Sequence, residues 1–495
     1  MTDIELYREY SEKIKNYRYA LFIIGFDEQT VCPKKDKENS LNVQNYFYEQ
    51  IINITNSDDY YELLKRLKDD NDLPLIEHLA INKEFEEITK ERRIPIPVIT
   101  RGMKIYSESS LAWENARETL DYSTFEEKLK VLVDYQFELM QYLNQNYQGF
   151  DIILTEMEDD FTSKRYDELF DLIEKEILPL VKKILTMPKK YNLDLINEKF
   201  DIDKQKKLTK KICDLMGYTN EVGYVGETIH PFTDGINSND VRTTTRYEES
   251  LLFSNLYSVM HEVGHATYEL QNDPKFSETA LMGGASPALH ESQSRFYENY
   301  LGRSREFIEF LYPILKDVFK EQMDKYTLDD IYYYCNDVSN QFTRTEADEL
   351  TYPFHIIIRY KIEKELFNKQ LTVDKISDRF NELFFEYFGV TPRNKFEGCF
   401  QDVHWSGSFG YFPTYALGSA MSAQFLNAMK KDFNPFEDMK NGNFKRVNEW
   451  LLDHVHKYGK SLKNLEVIKV ATGEDFNPKY YIEYLKNKFK EIYNI

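Results

Sequence analysis

Five consecutive residues, His261-Glu262-Val263-Gly264-His265, carry the clearest chemistry in the chain. Positions i and i+4 share one face of a helix, so His261 and His265 can bind one metal ion together. Glu262 then falls beside that ion, placed to activate a metal-bound water for hydrolysis. Leu252, Leu256, Val259, Met260 and Ala266 give this segment an apolar side, which points to a buried helix. A buried His-Glu-His set without a metal would hold costly unpaired polar groups. The plain alternative is a helix bearing two surface histidines. The third ligand sets the class of site. A metzincin would need a glycine and a further histidine where Tyr268 and Gln271 stand, so that pattern fails. Glu269 shares the face but lies two turns from His261, farther than one ion reaches with bonds of about 2 Å. The next polar cluster is His290-Glu291-Ser292-Gln293-Ser294-Arg295. Glu291 is the expected third ligand. His290 is the rival, and is otherwise a residue that supports the ligands. Two histidines and one glutamate leave the fourth position of a catalytic zinc site open to water.

Helices must position these groups. No proline occurs between Val98 and Leu178, and that stretch carries helical periodicity. Ser123 and Glu126 match a capping box, followed by Leu129, Leu132, Val133, Leu139, Met140 and Leu143 at mostly helical spacing. Asp203 to Met216 reads as a helix ending at Gly217, and Ile356–Phe367 and Val447–Tyr458 are helical too. The motif helix is expected to start near Glu248. One segment breaks the pattern. Tyr224 to Tyr247 has a β-like run, turn residues and the β-branched run Val241-Arg242-Thr243-Thr244-Thr245, which predicts a short hairpin. The expected fold is mostly α: one large helical catalytic unit, with a small β-hairpin or sheet beside the metal helix. No repeat, low-complexity tract or flexible linker divides it.

Composition narrows the partners. The 495 residues carry 63 Lys+Arg against 84 Asp+Glu, a net charge of −21. Nucleic acid is thereby a poor partner, since binding phosphates needs a basic surface. Anionic membranes are disfavoured by the same charge. Cys32, Cys213, Cys335 and Cys399 show no C-x-x-C spacing and read as free thiols of a reducing compartment. The N-terminal stretch is charged throughout, unlike a signal peptide, and the longest apolar run, Tyr19 to Phe26, is too short to span a bilayer. The expectation is a soluble cytoplasmic protein.

Several further motifs share one order and spacing. They are His230-Pro231-Phe232, Asp240-Val241-Arg242-Thr243-Thr244, His261–His265, His290-Glu291-Ser292-Gln293, Arg344-Thr345-Glu346-Ala347-Asp348 and the Gly410–Gly418 segment GYFPTYALG. Together they resemble the thermostable carboxypeptidase Taq family of metallocarboxypeptidases. Phe26–Pro33 looks like a looser form of that family's Trp-Asp-x-x-Thr-x-Met-Pro stretch, with Phe26 and Cys32 replacing Trp and Met. Thr343 stands where the family usually has Ile. The resemblance implies removal of single residues from peptide C-termini with broad specificity. It also implies a helical subunit with a deep groove, one divalent metal (zinc, or cobalt in some members) and a homodimer. On this reading residues 1–495 form a single catalytic domain, with a helical part at about 1–200 covering the groove and a metal-site part at about 201–495.

The family context also suggests roles. Glu262 would take a proton from the attacking water and pass it to the leaving amine. Tyr415 is the first candidate donor to the oxyanion, with Tyr411 second. Arg344 is the first candidate for the substrate carboxylate, because a guanidinium binds it through paired hydrogen bonds, and Arg242 is second. A salt bridge to Asp240 is the bland reading of Arg242. Asp348, four residues after Arg344, is expected on the same helix face, orienting Arg344 or a metal-binding histidine. His230 could donate to a substrate carbonyl, and a strand edge there could pair with an extended peptide. His404 and Trp405 are expected to line the groove. Glu269, Glu278 and Glu298 read as solvated or supporting, and His78, His355, His454 and His456 as ordinary. Two other functions compete: a metallo-oligopeptidase cutting short peptides internally, and a binding protein on an inactive peptidase scaffold.

Overall fold

A computed structural model describes residues 1–159, 161–277 and 279–495. The chain is mostly helical, with one three-stranded sheet. Four helices, Asp3–Thr30, Lys37–Thr55, Asp58–Leu67 and Leu75–Glu91, enclose a small core of their own, built on Tyr7, Ile14, Tyr60, Leu63, Leu64, Leu67, Ile81 and Ile88. The first of them begins in a capping box: Thr2 Oγ1 accepts from Glu5 N–H, and the Glu5 carboxylate accepts from Thr2 N–H. From Ala112 to Tyr493 most of the buried apolar residues form one continuous core. Residues 112–200 therefore pack with the metal-motif part rather than with the N-terminal helices.

The sheet joins these layers. Its order is β1 (Gly223–Glu227), β3 (Asp240–Thr245), β2 (Thr233–Asn237). β2 and β3 make the expected hairpin, with Thr233 opposite Thr243 and a bulge near Asn237. The β-like run at Tyr224 is β1, but it pairs parallel to β3, Gly223 opposite Val241, and β2 takes in Asp234-Gly235, which were expected in the turn. Parallel pairing needs a crossover, so no local turn signal announces it. Phe26 of the first helix packs against Tyr224 and Phe232, and Arg242 lies over the Phe22 and Phe26 rings. A second seam is formed by Ala80 with Phe276 and Leu281.

The motif helix spans Leu252–Leu270 and so starts four residues later than expected, because Glu248 to Leu251 form a turn. Val259, Met260, Val263 and Ala266 are buried, giving the expected apolar side. The helix Ser123–Leu139 lacks its capping box: Asp121 accepts from Ser123 N–H, and Glu126 pairs with Lys395 instead. The helix Ile202–Met216 ends at Gly217, whose φ of 85° is the left-handed conformation a glycine cap adopts. Among the described residues no helix is long and apolar enough to cross a membrane.

Candidate metal centre

Three helices meet at the motif. The helix Pro287–Arg295 carries Glu291 and lies between the motif helix and the helix Phe412–Asp432. Two glycines allow this. A Cβ at Gly264 would stand 2.8 Å from Ser294 Cα, and one at Gly418 would stand 2.7 Å from Ala288 O and 3.0 Å from Glu291 Cβ. Contacts that short do not occur between real atoms, so the glycines set how closely Glu291 approaches the histidines. Glu158, fully buried at the end of the helix Phe150–Met157, fixes the same helix from its N-terminal end. Its Oε1 accepts from Ala288 N–H at 2.5 Å, and its Oε2 accepts from Asn464 Nδ2 at 2.5 Å. Burial pushes the Glu158 carboxyl up to about 7.

The His261 and His265 rings lie 4.9 Å apart. Glu291 Oε2 is 3.6 Å from His261 Nε2 and 3.5 Å from His265 Nε2. One donor atom from each of the three residues falls within 4.8 Å of the others. Two imidazole nitrogens and one carboxylate oxygen converging in this way fit a divalent ion of the zinc type. The protonation states fit as well. Burial opposes ionisation of Glu291, but Arg295, His261 and His265 hold its carboxyl well below the usual carboxylate range. Burial pushes the His265 imidazole down to about 3, toward the neutral form a metal requires. His261 is half-buried, and Glu291 and Glu298 raise its proton affinity against the effect of burial; a cation at the same place answers the same negative charge.

A charge network backs these donors. Glu298 Oε2 lies 2.9 Å from His261 Nδ1. Arg295 Nε donates to Glu291 Oε1 at 2.7 Å, and Arg295 Nη1 to Glu298 Oε2 at 3.3 Å. Arg303 Nη2 reaches Glu298 Oε1 at 3.3 Å. The two arginines stack over Tyr352 and Tyr257. Burial works against Glu298, yet Arg295 and His261 bring its carboxyl down to about 2. Two acids and two arginines cancel, so the ion's charge is not already spent by excess carboxylate. Sequence reasoning assigned Arg295 no role and left Glu298 as solvated or supporting. The signal was the spacing Glu291, Arg295, Glu298, three charged residues on one face of a helical segment. The helix passes into a π turn at Phe296–Leu301, which carries Glu298.

His290 stands outside the donor set. Its ring stacks on His265 at 4.3 Å, and its Nε2 lies 2.9 Å from Glu269 Oε1. Glu262 points toward the sheet. Its Oε2 lies 2.6 Å from Thr233 Oγ1 of β2, and its backbone oxygen 2.9 Å from the same hydroxyl. Burial raises the Glu262 carboxyl above its ordinary value, against the pull of His261 and Thr233.

The expected substrate residues divide. Arg344 lies in a short turn, Arg344–Glu346, and Ala347 is extended, so Arg344 and Asp348 do not share a helix face. Arg344 Nε donates to Asp402 Oδ1 at 2.7 Å, Nη1 to Tyr352 Oη at 3.1 Å, and its guanidinium lies 4.9 Å from the Tyr415 ring centre. Asp348 touches neither Arg344 nor a histidine. It accepts from Thr351 Oγ1 and from the N–H groups of Ser339, Leu350 and Thr351, at the start of the next helix. Arg242 is held by both oxygens of Asp240 at 3.0 and 2.9 Å, the salt bridge of the bland reading. His230 is exposed beside β2. His404 Nε2 lies 3.0 Å from Tyr415 Oη. Trp405 is fully buried among Phe400, Phe409 and Phe412, so it lines no open groove. The Tyr411 ring is 5.3 Å from that of Tyr415, and its hydroxyl has no hydrogen-bond partner among the described residues. Glu278 lies outside the described residues. Thr233, Arg359 and Asp402 were missed altogether, because their partners lie far off in sequence.

Residues 6–489 match the family model described as carboxypeptidase Taq (M32) metallopeptidase. Carboxypeptidase 1 of Bacillus subtilis (strain 168) is 36% identical over 485 residues, 97% of each chain. Thermostable carboxypeptidase 1 of Pyrococcus furiosus is 32% identical over 477 residues, 95% of each chain. The crystal structure of an M32 carboxypeptidase from Deinococcus radiodurans R1 superposes with a TM-score of 0.95 at 28% identity, covering both chains entirely.

Proposed function

This chain belongs to the carboxypeptidase Taq (M32) metallopeptidase family and is a metal-dependent carboxypeptidase of peptides, and from that premise we propose how its own residues do the work. His261, His265 and Glu291 hold one divalent ion, zinc first and cobalt second, and Glu262 is the proton carrier. The enzyme removes single C-terminal residues with broad specificity. The observation that carries this reading is the convergence of the three donor atoms within 4.8 Å, with Glu262 on the adjoining position of the same helix.

When bound, the metal supplies a Lewis acid that polarises the scissile carbonyl and acidifies water. Glu262 Oε2 accepts the proton of the attacking water and returns it to the leaving amine. Burial favours this role, since a carboxylate whose proton affinity is raised is a better base. Tyr415 donates to the oxyanion, with its oxygen steadied by His404, and Tyr411 is the second choice. Arg344 takes the substrate's terminal carboxylate. His230 and His404 border the peptide, and Arg242, committed to Asp240, holds the sheet rather than the substrate. His290 supports His265, against which it stacks. In this reading residues 1–495 are one catalytic unit, a cytoplasmic homodimer whose N-terminal helices roof the peptide groove; the family resemblance and the unpaired cysteines support it.

The test compares one peptide with its C-terminal amide. Cleavage of the free acid at least about a hundredfold faster is expected, since a charged hydrogen-bonded pair is lost in the amide. Equal cleavage of both would overturn the role of Arg344.

A further inference from the structure

Behind Arg344 lies a second guanidinium. Arg359, on the helix Tyr352–Phe367, is fully buried. Its Nε donates to Asp402 Oδ2 at 2.6 Å, while Arg344 Nε takes Asp402 Oδ1 at 2.7 Å. One carboxylate is thus shared between two arginines. Arg359 Nη1 donates only to His355 O at 2.8 Å, and Nη2 is buried without a partner among the described residues. A guanidinium placed only for stability would not be left so poorly satisfied.

We infer that Arg359 sets the charge of the carboxylate-binding pocket: by occupying the second oxygen of Asp402 it leaves Arg344 with a net positive charge for the substrate's C-terminal carboxylate. The inference rests on the assignment of Arg344 above and adds a specificity-determining residue to it. Two arginines and one aspartate sum to +1. The neighbouring groups do not alter that sum. Burial, with the arginine charges, keeps the His355 and His404 imidazoles neutral. Burial pushes the Glu363 carboxyl well above its ordinary value, toward the neutral form, although Gly410 N–H donates to it. A buried charge without a counter-ion is costly, and an arriving carboxylate relieves that cost while an amide or an internal peptide bond does not. With Arg359 neutralised, Arg344 and Asp402 would form a closed neutral pair, and the pocket would lose its demand for an anion. Arg359 acts through Asp402 and Arg344, so it is a positioning residue rather than a catalytic one.

The experiment measures kcat and KM for a free-acid peptide and its amide in four metal-loaded enzymes: wild type, Arg344→Gln, Arg359→Gln and Arg359→Lys. Arg359→Gln should raise the free-acid KM about tenfold while kcat changes less than about threefold. Arg359→Lys, which keeps the charge, should recover most of that loss. Unchanged KM in Arg359→Gln, or equal damage in the lysine variant, would overturn the inference. Arg344→Gln separates the two layers of the argument. If it keeps full preference for the free acid, the Arg344 assignment itself fails. If it loses that preference while Arg359→Gln keeps a wild-type KM, only the present inference fails. Should Arg359→Gln not fold, Arg359→Gln/Asp402→Asn restores the +1 sum without an unpaired acid. A free-acid KM within about threefold of wild type supports the inference; a KM as high as that of Arg344→Gln overturns it.

Discussion

Thr233→Val tests whether the sheet sets the base. The Thr233 hydroxyl lies 2.6 Å from Glu262 Oε2, and both residues are largely out of water. Valine keeps the shape and removes the donor. A hydrogen bond to a charged group contributes about 1.5–3 kcal/mol, and each 1.4 kcal/mol is about tenfold in rate. The Glu262 acid constant should therefore fall roughly 10- to 100-fold, and kcat on the acid limb should fall by the same factor, because less Glu262 is ionised there. KM and bound metal should stay near wild type, because neither the donor set nor Arg344 touches Thr233. The bond favours the carboxylate over the acid. Its removal therefore adds to the burial that already raises the Glu262 carboxyl. The acid limb of kcat/KM should move to higher pH, by about one unit for 1.4 kcal/mol. Steady-state kinetics from pH 5 to 9 with metal analysis on the same samples measures all of this, and Thr233→Ser should restore it. A Thr233→Val enzyme with wild-type kcat and an unmoved acid limb would refute the reasoning. The hydroxyl would then serve only the Glu262 backbone oxygen, 2.9 Å away.

Three further predictions follow from the same geometry. Glu262→Gln should keep the metal, measured by elemental analysis, and lose about three or more orders of magnitude in kcat, as removal of a general base does; near-normal turnover would remove Glu262 from the mechanism. A chelator should abolish activity, and zinc or cobalt should restore it without refolding, because Arg295 and Glu298 hold the donors from behind. Glu158→Gln reports on the helix that carries Glu291. The Glu158 carboxyl rises on folding from an ordinary 4.5 to about 7, so the folded state binds the proton more tightly than the unfolded one. The associated stability is present below about pH 4.5 and lost as pH rises through 7, about 3 kcal/mol in all. Denaturant titrations at pH 5 and 8 should show wild type losing about that much relative to Glu158→Gln; parallel curves would contradict the assignment.

What the sequence disclosed follows the range of each interaction. His261, Glu262 and His265 are read from one helical turn, and the glycine cap of Ile202–Met216 from one residue. Glu291 could be found because a polar cluster stands out in an apolar stretch. Arg344 was found through its motif, but its surroundings were not. A spacing of four suggested a shared face with Asp348, whereas Ala347 is extended and Asp348 serves the next helix. The partner of Arg344 is Asp402, 58 residues on, and that of Glu262 is Thr233, 29 residues back. Ser123 and Glu126 had a good local pattern, but Lys395 offered Glu126 a charged partner and the box did not form. Local rules state what a residue can do; the packed neighbour decides which option it takes.

The small separate core of the N-terminal helices has a thermal consequence. Eight buried apolar residues hold those four helices together, and Lys37–Thr55 buries only Ser40. Most buried apolar residues from Ala112 onward share one far larger core. Opening free energies follow the apolar area each unit buries, so the two parts will not melt together. On warming, the N-terminal layer frays while the metal donors stay in place. On the proposed roofing role of those helices, confinement of the peptide is the first function lost, and the chemistry outlives it.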